Sequence, residues 1–474
     1  MSAHRAGFFV LFLAVAAYAN SLGNGFAYDD EGIITNNAVV RSGDLTDAAT
    51  RPWWPKVEDG SGLYRPLTLV SFTLEWRVFG GEPLGLHALN VVFHALVSLL
   101  VFLLLLELGS LPGALAGGAL FAVHPLHTEA VANVVGRAEL YSSLFFLLAC
   151  LLYWKGREWS GGARIVRLLG VGVLYFLSLT GKEIGVTLPG ALLLLELFAP
   201  RLRGGSEGPV LFRLRREAAT YLLLFVVLLA YLGVRFLALG SVVGEVPAPL
   251  FQQIGSQARV LTAVALWVQY LRLLLVPLDL SVDYDPGVLF PSEGLDVAVV
   301  LGFLALMALG LAAHRARTRA PLVSLGVLWF AVCILPVSNL FFSTGVLLAE
   351  RTLYLPSLAL SLVVAGLAPS VLALARPLRQ VVLVIALAVS LGFLLRTVDR
   401  NPAWMSTFVV HQTLNEEHPE SWRAVRGRAR GLQRIGDAEA AGEAWDLAVS
   451  LAPTNYTLLA QAGDFHGRLG SWTA

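Results

Sequence analysis

Residues 86–108 read LHALNVVFHALVSLLVFLLLLEL, an almost wholly apolar stretch. A hydrocarbon core about 30 Å thick takes ~20 apolar residues of helix to cross, so this stretch is expected to span a bilayer. Working outward, comparable runs occupy 6–22, 112–132, 138–155, 164–180, 184–199, 218–238, 295–313, 321–340, 354–374 and 379–396, about eleven spans in all. The whole chain agrees. Of its 474 residues 56% are hydrophobic and only 14% charged, with a mean hydropathy of +0.70. Soluble chains run at roughly 45–50% apolar and about a quarter charged, which excludes an ordinary soluble enzyme. A disordered chain is excluded too, since it would be charge-rich. The expected fold is all-α and polytopic. Thirty-four Lys and Arg against 33 Asp and Glu leave a net charge of +1, so no basic field points to nucleic acid. Cys150 and Cys333 lie within apolar runs, where neither a disulfide framework nor a zinc site can be built.

The run 260–276 reads differently. It carries Arg259, Gln269 and Arg272 with Trp267 and Tyr270, and Pro277 ends it, so an interfacial amphipathic helix is expected. If it does not cross, four basic clusters fall on one side: Lys155 to Arg167, Arg201 to Arg216, Arg315 to Arg319, and Arg376 with Arg379. The positive-inside rule makes that side cytoplasmic. On the other side lie the long loop 23–85, the loop 239–294 and everything after about 397. The first span, with His4, Arg5 and Ala17-Tyr18-Ala19, mimics a signal peptide, but an uncleaved anchor is expected because the next residues look like part of a site.

The chain divides into a membrane domain, 1–397, and a polar, Ala-rich segment, 398–474. In the latter, Pro419 and Pro453 are 34 residues apart, as are Gly436 and Gly470, and Trp422 aligns with Tyr456. That period is the tetratricopeptide signature, here as a short extracytoplasmic stub and candidate protein-binding element.

Polar clusters sit at the outer ends of the spans. Tyr28-Asp29-Asp30-Glu31 follows the first span. Consecutive acids repel, which can raise a pKa and make one carboxylate a base, or they can hold a divalent metal through oxygen ligands; a solvated helix start is the plainer reading. His124-Pro125-Leu126-His127-Thr128-Glu129 precedes Gly136-Arg137-Ala138-Glu139. Its histidines are metal candidates, or simply hydrogen-bonded groups at the membrane boundary. Arg137, Lys182 beside Glu183, and Glu350-Arg351 with Tyr354 place several basic groups on one face, which suggests an anionic ligand such as a lipid phosphate; interfacial ion pairs are the alternative. His87, Asn90 and His94 line one side of the second span and are expected to hydrogen-bond between helices.

This ordered series resembles the transmembrane and tetratricopeptide-repeat-containing O-mannosyltransferase family, which belongs with the protein O-mannosyltransferases among the GT-C polyprenyl-phosphate-sugar glycosyltransferases. The carrying residues are Tyr28-Asp29-Asp30, Tyr64-Arg65-Pro66-Leu67, the 124–131 and 136–139 motifs, Gly181 to Thr187, and Ala349 to Ser357. The resemblance implies transfer of mannose or a similar sugar from a polyprenyl-phosphate carrier to a hydroxyl acceptor, on the extracytoplasmic face and with inversion. It implies Asp29 as base, with Asp30 supporting it or binding a divalent metal such as Mg or Mn. Arg137 is the first choice for the lipid phosphate, with Lys182 and Arg351 next. His124, His127, Glu129, Glu139, Glu183, Glu350, Tyr64 and Arg65 are supporting. The repeat array is short where the eukaryotic members carry many repeats, so either the chain is cut short or the stub docks on the membrane domain, and the Ala/Leu/Arg-rich, lysine-poor usage suggests a bacterial inner-membrane protein. The acceptor is a protein or, on a rival reading, a lipid or cell-wall glycan. A transporter would show inverted repeats and midplane polar groups, and a scaffold would have no use for acids facing bases.

Overall fold

The computed structural model describes the chain except residues 56–61, 204–207, 243–250, 252–253, 285–287, 342 and 470–474; Gly470 of the 34-residue period therefore lies outside the described residues. Helices dominate, and no strand occurs among the described residues. Among the described residues ten helices are long and apolar enough to cross a membrane. Nine of these, with the shorter apolar helices Leu111–Ala122 and Pro321–Val337, occupy the eleven runs expected from hydropathy. The chain is a multi-pass membrane protein.

Helices of ten or more residues are numbered in order: α1 Ala3–Tyr18, α2 Pro66–Phe79, α3 Pro83–Leu108, α4 Leu111–Ala122, α5 Arg137–Lys155, α6 Gly161–Gly181, α7 Leu188–Arg203, α8 Ala218–Leu239, α9 Ser256–Leu275, α10 Val297–Arg319, α11 Pro321–Ile334, α12 Leu358–Leu372, α13 Arg376–Arg400, and then α14 Thr407–Glu417, α15 Trp422–Ile435, α16 Ala438–Leu451 and α17 Tyr456–Leu469. Their starts follow local chemistry. Pro66, Pro83 and Pro321 sit where a missing N–H costs nothing, and Ser2, Ser110 and Asp296 accept hydrogen bonds from first-turn amides. α1 packs on α3 and α4, and α4 on α12. At Gly117 of α4 a Cβ would come within 2.6 Å of the Ser361 carbonyl, so that last pair meets backbone to backbone. α13 turns Leu378, Val381, Val384, Ile385 and Leu387 outward, a face for lipid.

The expected third span, 112–132, is not one helix. α4 stops at Ala122 because Pro125 has no N–H to continue the ladder and holds His124 extended at φ −72° and ψ 124°. The chain then turns through a short helix, Thr128–Ala132, before α5. This break builds the floor of the site described below.

α9 meets the length and composition for a crossing, yet both its ends touch the face on which α1 ends. Near its start Arg259 donates to the carbonyls of Asn339 and Leu340, in the loop that α11 reaches on that face. At its end the Leu274 carbonyl accepts from His124 at 3.0 Å, and Arg396 near the end of α13 donates to the Leu278 carbonyl. Both ends of α9 are thus tied to loops on the same side of the helices. On the opposite face the basic loops meet: Arg157 and Arg213 share the buried Glu196, Arg167 pairs with Glu217 at 2.6 Å, and Arg164 donates to the Arg216 carbonyl.

Beyond α13, α15 and α16 form a hairpin turned at Gly436, whose φ of 85° is the left-handed cap. Val425, Ala429, Ala441, Ala444, Trp445, Ala448, Leu458, Ala462 and Phe465 form its core. α15 and α17 begin at the aligned residues Trp422 and Tyr456.

Candidate active site

The three consecutive acids go to three different environments. Tyr28 stands at φ +55°, a left-handed backbone that a bulky residue rarely adopts, held by its N–H donating to Thr407 at 2.9 Å. From that bend Asp29 projects toward Arg351, with Oδ2 3.2 Å from Nη1. Asp30 turns inward and is fully buried. Its Oδ2 accepts from the N–H of Ala27 at 3.0 Å and of Val134 at 3.4 Å, and its Oδ1 from Val135 at 2.8 Å. Burial pushes its carboxyl up to about 7, against those three amides. Glu31 accepts from Thr407 and lies 3.7 Å from Arg434.

Arg351 is the centre of the arrangement. Its Nη1 also meets Glu129 Oε1 at 2.8 Å, and its backbone N–H donates to Glu129 Oε2 at 2.8 Å. Nε and Nη2 make no hydrogen bond among the described residues, and the side chain keeps 22% of its surface exposed against 18% for Asp29. Glu129, by contrast, is buried, and burial raises its pKa against the pull of Arg351. Glu350 is held beneath by the Ser281 N–H and the Tyr284 hydroxyl, each at 2.7 Å. One partly open cation, one partly open carboxylate and a buried carboxylate fixing the cation therefore converge.

Lys182 lies near them but is buried against Glu139, and burial lowers its pKa. Arg65 pairs with Glu183 at 2.9 Å and sits over Trp53, while Arg235 approaches the same Glu183 at 3.5 Å. Tyr64 donates to the Ala49 carbonyl at 2.6 Å.

Arg137 does not reach this cluster's surface. Its side chain is fully buried, with Nε on Asn90, Nη1 on Glu75 and Nη2 on the Leu86 carbonyl. Each nitrogen has a partner and the side chain has no exposed surface, so the guanidinium is closed to a lipid phosphate and instead ties α2 and α3 to the start of α5. The histidines are also enclosed. His124 donates from Nε2 to the Leu274 carbonyl and accepts at Nδ1 from the Leu126 N–H, 3.2 Å away; burial lowers its pKa to about 4. His127 Nε2 meets Ser357 Oγ at 2.7 Å. Asn90 bonds to the Val131 carbonyl and His94 to the Ala122 carbonyl and Tyr354, the interhelical role expected of that stripe, whereas His87 reaches the carbonyl of Gly25 in a loop.

The residues present do not fit a resident metal. Asp30 already accepts three backbone N–H groups, His124 has both ring nitrogens engaged, and no group of three or more His, Cys, Asp or Glu among the described residues is placed around one ion.

Sequence reading missed Glu75, Arg235 and Thr407. Glu75 and Arg235 each interrupt an apolar helix, which is the usual sign of a paired buried charge. Nothing local marks Thr407.

No family model matches the sequence. Among curated proteins it is 30% identical over 455 residues to the mouse protein O-mannosyl-transferase TMTC3, covering 88% of this chain and 48% of that one. Its homologues are protein O-mannosyl-transferases. The Drosophila melanogaster Tmtc2 is 36% identical over 287 residues, covering 57% of this chain and 29% of the relative, and human TMTC2 is 26% identical over 518 residues, covering 90% and 60%. The chain spans about half the length of the first of these relatives. Among solved structures, ArnT from Cupriavidus metallidurans bound to undecaprenyl phosphate is 14% identical with a TM-score of 0.46, covering 98% of this chain and 78% of that one. The regions matched to TMTC3 take in most of this chain, and the Asp29–Arg351 pair lies at the meeting point of its first and last thirds.

Proposed function

We propose that the protein is a membrane glycosyltransferase that moves a monosaccharide, mannose or a close relative, from a polyprenyl-phosphate carrier to a serine or threonine hydroxyl of a protein. Transfer takes place on the face where α1 and α13 end, which the opposite basic loops make extracytoplasmic. The observation that carries the reading is the Asp29–Arg351 pair, because it is a base and a cation together, both partly open, at the end of the spans. The homologues are named for this activity.

The chemistry follows from the donors and acceptors. Asp29 takes the proton of the acceptor hydroxyl, whose oxygen attacks the anomeric carbon from the side opposite the phosphate. The carbon–oxygen bond to phosphate breaks, inversion results, and negative charge grows on the departing lipid phosphate. Arg351 meets that charge with Nε and Nη2, while Glu129 keeps the guanidinium from swinging away. Lys182 is already paired with Glu139 behind them, and the polyprenyl tail stays among the apolar helices. Arg351 thus replaces Arg137 as the favoured phosphate group, and Arg137 becomes a structural clamp.

The test is transfer of radiolabelled sugar from polyprenyl-phosphate donors to extracytoplasmic proteins, in membranes carrying the wild-type chain or Asp29→Asn. Label entering protein only with the wild type supports the reading. Label confined to lipid or glycan would shift the acceptor, and equal transfer by both forms would remove Asp29 from the mechanism.

A further inference from the structure

Helix α15 carries Arg423, Arg426, Arg428, Arg430 and Arg434 and no acidic residue. Positions 423, 426, 430 and 434 recur at three- and four-residue steps, which places them on one face. The two ends of this stripe are tied to acids flanking the reacting pair. Arg423 Nη1 is 2.8 Å from Asp283 Oδ2, and Arg434 lies 3.7 Å from Glu31. The middle is not tied. Arg426 and Arg430 form no hydrogen bond or ion pair among the described residues. The Arg426 guanidinium lies over Trp422 at 5.3 Å, with its Nε buried and unpartnered.

Like charges and burial press on both groups: Arg426 is lowered to about 10, chiefly by burial and then by Arg430 and Arg423, and Arg430 is lowered as well. The groups facing them from neighbouring elements offset this only in part. From α14 comes His411, packed so closely that a Cβ at Gly427 would lie 2.1 Å from its Nδ1. Burial and the same arginines lower its pKa to about 4, so it is neutral at physiological pH. From the membrane domain come Tyr28 and Asp283, and Asp283 already holds Arg423. Arg426 therefore stands without an ion-pair partner near Tyr28, one residue from Asp29, and Arg430 follows one turn along the same face.

We propose that Arg426 and Arg430 form an acceptor subsite that takes carboxylate side chains of the incoming protein segment, so that hydroxyls flanked by Asp or Glu are glycosylated in preference to neutral or basic sequences. This rests on the protein-glycosylation reading above. A carboxylate fits because the pair needs an acceptor of negative charge, and the site's own acids are committed elsewhere. An acceptor is favoured over a lipid headgroup because the stripe is pinned at both ends to the loops that carry the Asp29 motif.

The experiment compares matched serine/threonine peptides flanked by Glu or by Gln, using the full chain in membranes of neutral lipid. For the wild type the Glu peptide should be favoured by roughly five- to tenfold in kcat/KM, with the advantage shrinking as salt rises. In R426Q/R430Q the ratio should fall to about one, and in R426K/R430K it should persist. Equal use of both peptides by the wild type, or an unchanged ratio in R426Q/R430Q, overturns the subsite. If neither peptide is labelled, the protein-transfer reading fails. The stripe is then judged by binding of the fluorescent Glu peptide to the Asp29→Asn protein, which R426Q/R430Q should weaken by a similar factor. Loss of binding to anionic vesicles in place of the peptide would assign the stripe to the membrane surface and overturn the proposal.

Discussion

Adjacent residues of identical chemistry divide the work at this site. Asp29 and Asp30 differ in nothing a sequence prints except position, yet one faces Arg351 and the other accepts three backbone N–H groups from residues 27, 134 and 135. Asp29→Asn keeps the shape and removes the base, so kcat should fall ~10²–10⁴-fold with insertion intact. Arg351→Gln should cost ~10²–10³-fold, by loss of a fixed charge at the leaving group. Glu129→Gln should act through Arg351: activity falls by a smaller factor, and KM for the phosphate-bearing donor moves more than kcat. Asp30 gives a pH signature instead. Its folded pKa of about 7 lies above the ordinary 3.8, so its contribution to stability is complete below about pH 4 and is lost as pH rises through about 7. Melting of the solubilised protein between pH 5 and 8 should show that loss in the wild type and not in Asp30→Asn. The acidic triplet itself was visible in the sequence. Which acid turns outward was not, because the choice depends on the strained backbone at Tyr28 and on amides more than a hundred residues away.

At the scale of elements, hydropathy located the helices but not their breaks or their partners. The run 112–132 is apolar throughout its first half, and Pro125 was in plain view, yet only the structure shows a twelve-residue helix followed by a turn that presents Glu129. Arg137 shows the same limit. An arginine at an outward turn looks accessible until α2 and α3 close over it with Glu75, Asn90 and the Leu86 carbonyl. Arg137→Ala should therefore leave Glu75 buried and unpaired, destabilising the protein by ~3–5 kcal/mol, with a loss of folded yield and no selective change in donor KM. The course of α9 is testable with single cysteines. Ser256→Cys and Leu278→Cys should both label from the same face; labelling from opposite faces would mean that α9 crosses. The native thiols are buried and should contribute little background.

Across the whole molecule, charge is segregated by face. The basic loops interlock around Glu196 and Glu217 at one end of the helices, and the acid–base ladder of Asp29, Arg351, Glu129, Glu139, Lys182, Glu183 and Arg65 occupies the other. The α14–α17 segment docks on the second end through Thr407, Arg400 with Glu417, and Arg423 with Asp283. Trp159→Cys and Gln433→Cys should accordingly label from opposite sides of the membrane, with Gln433→Cys reporting on the side where transfer takes place.

The sequence by itself determined the class of molecule, the placement of most of its apolar helices and the set of polar clusters from which a site could be drawn. Those properties follow from transfer free energies and charge bias, which act residue by residue along the chain. Tertiary structure alone decided which charges are open and which are consumed. A buried ion is tolerated only beside a partner, and the partners of Asp30, Arg137, Lys182 and Arg351 come from helices far apart in sequence. The short-range pattern carries no record of those pairings.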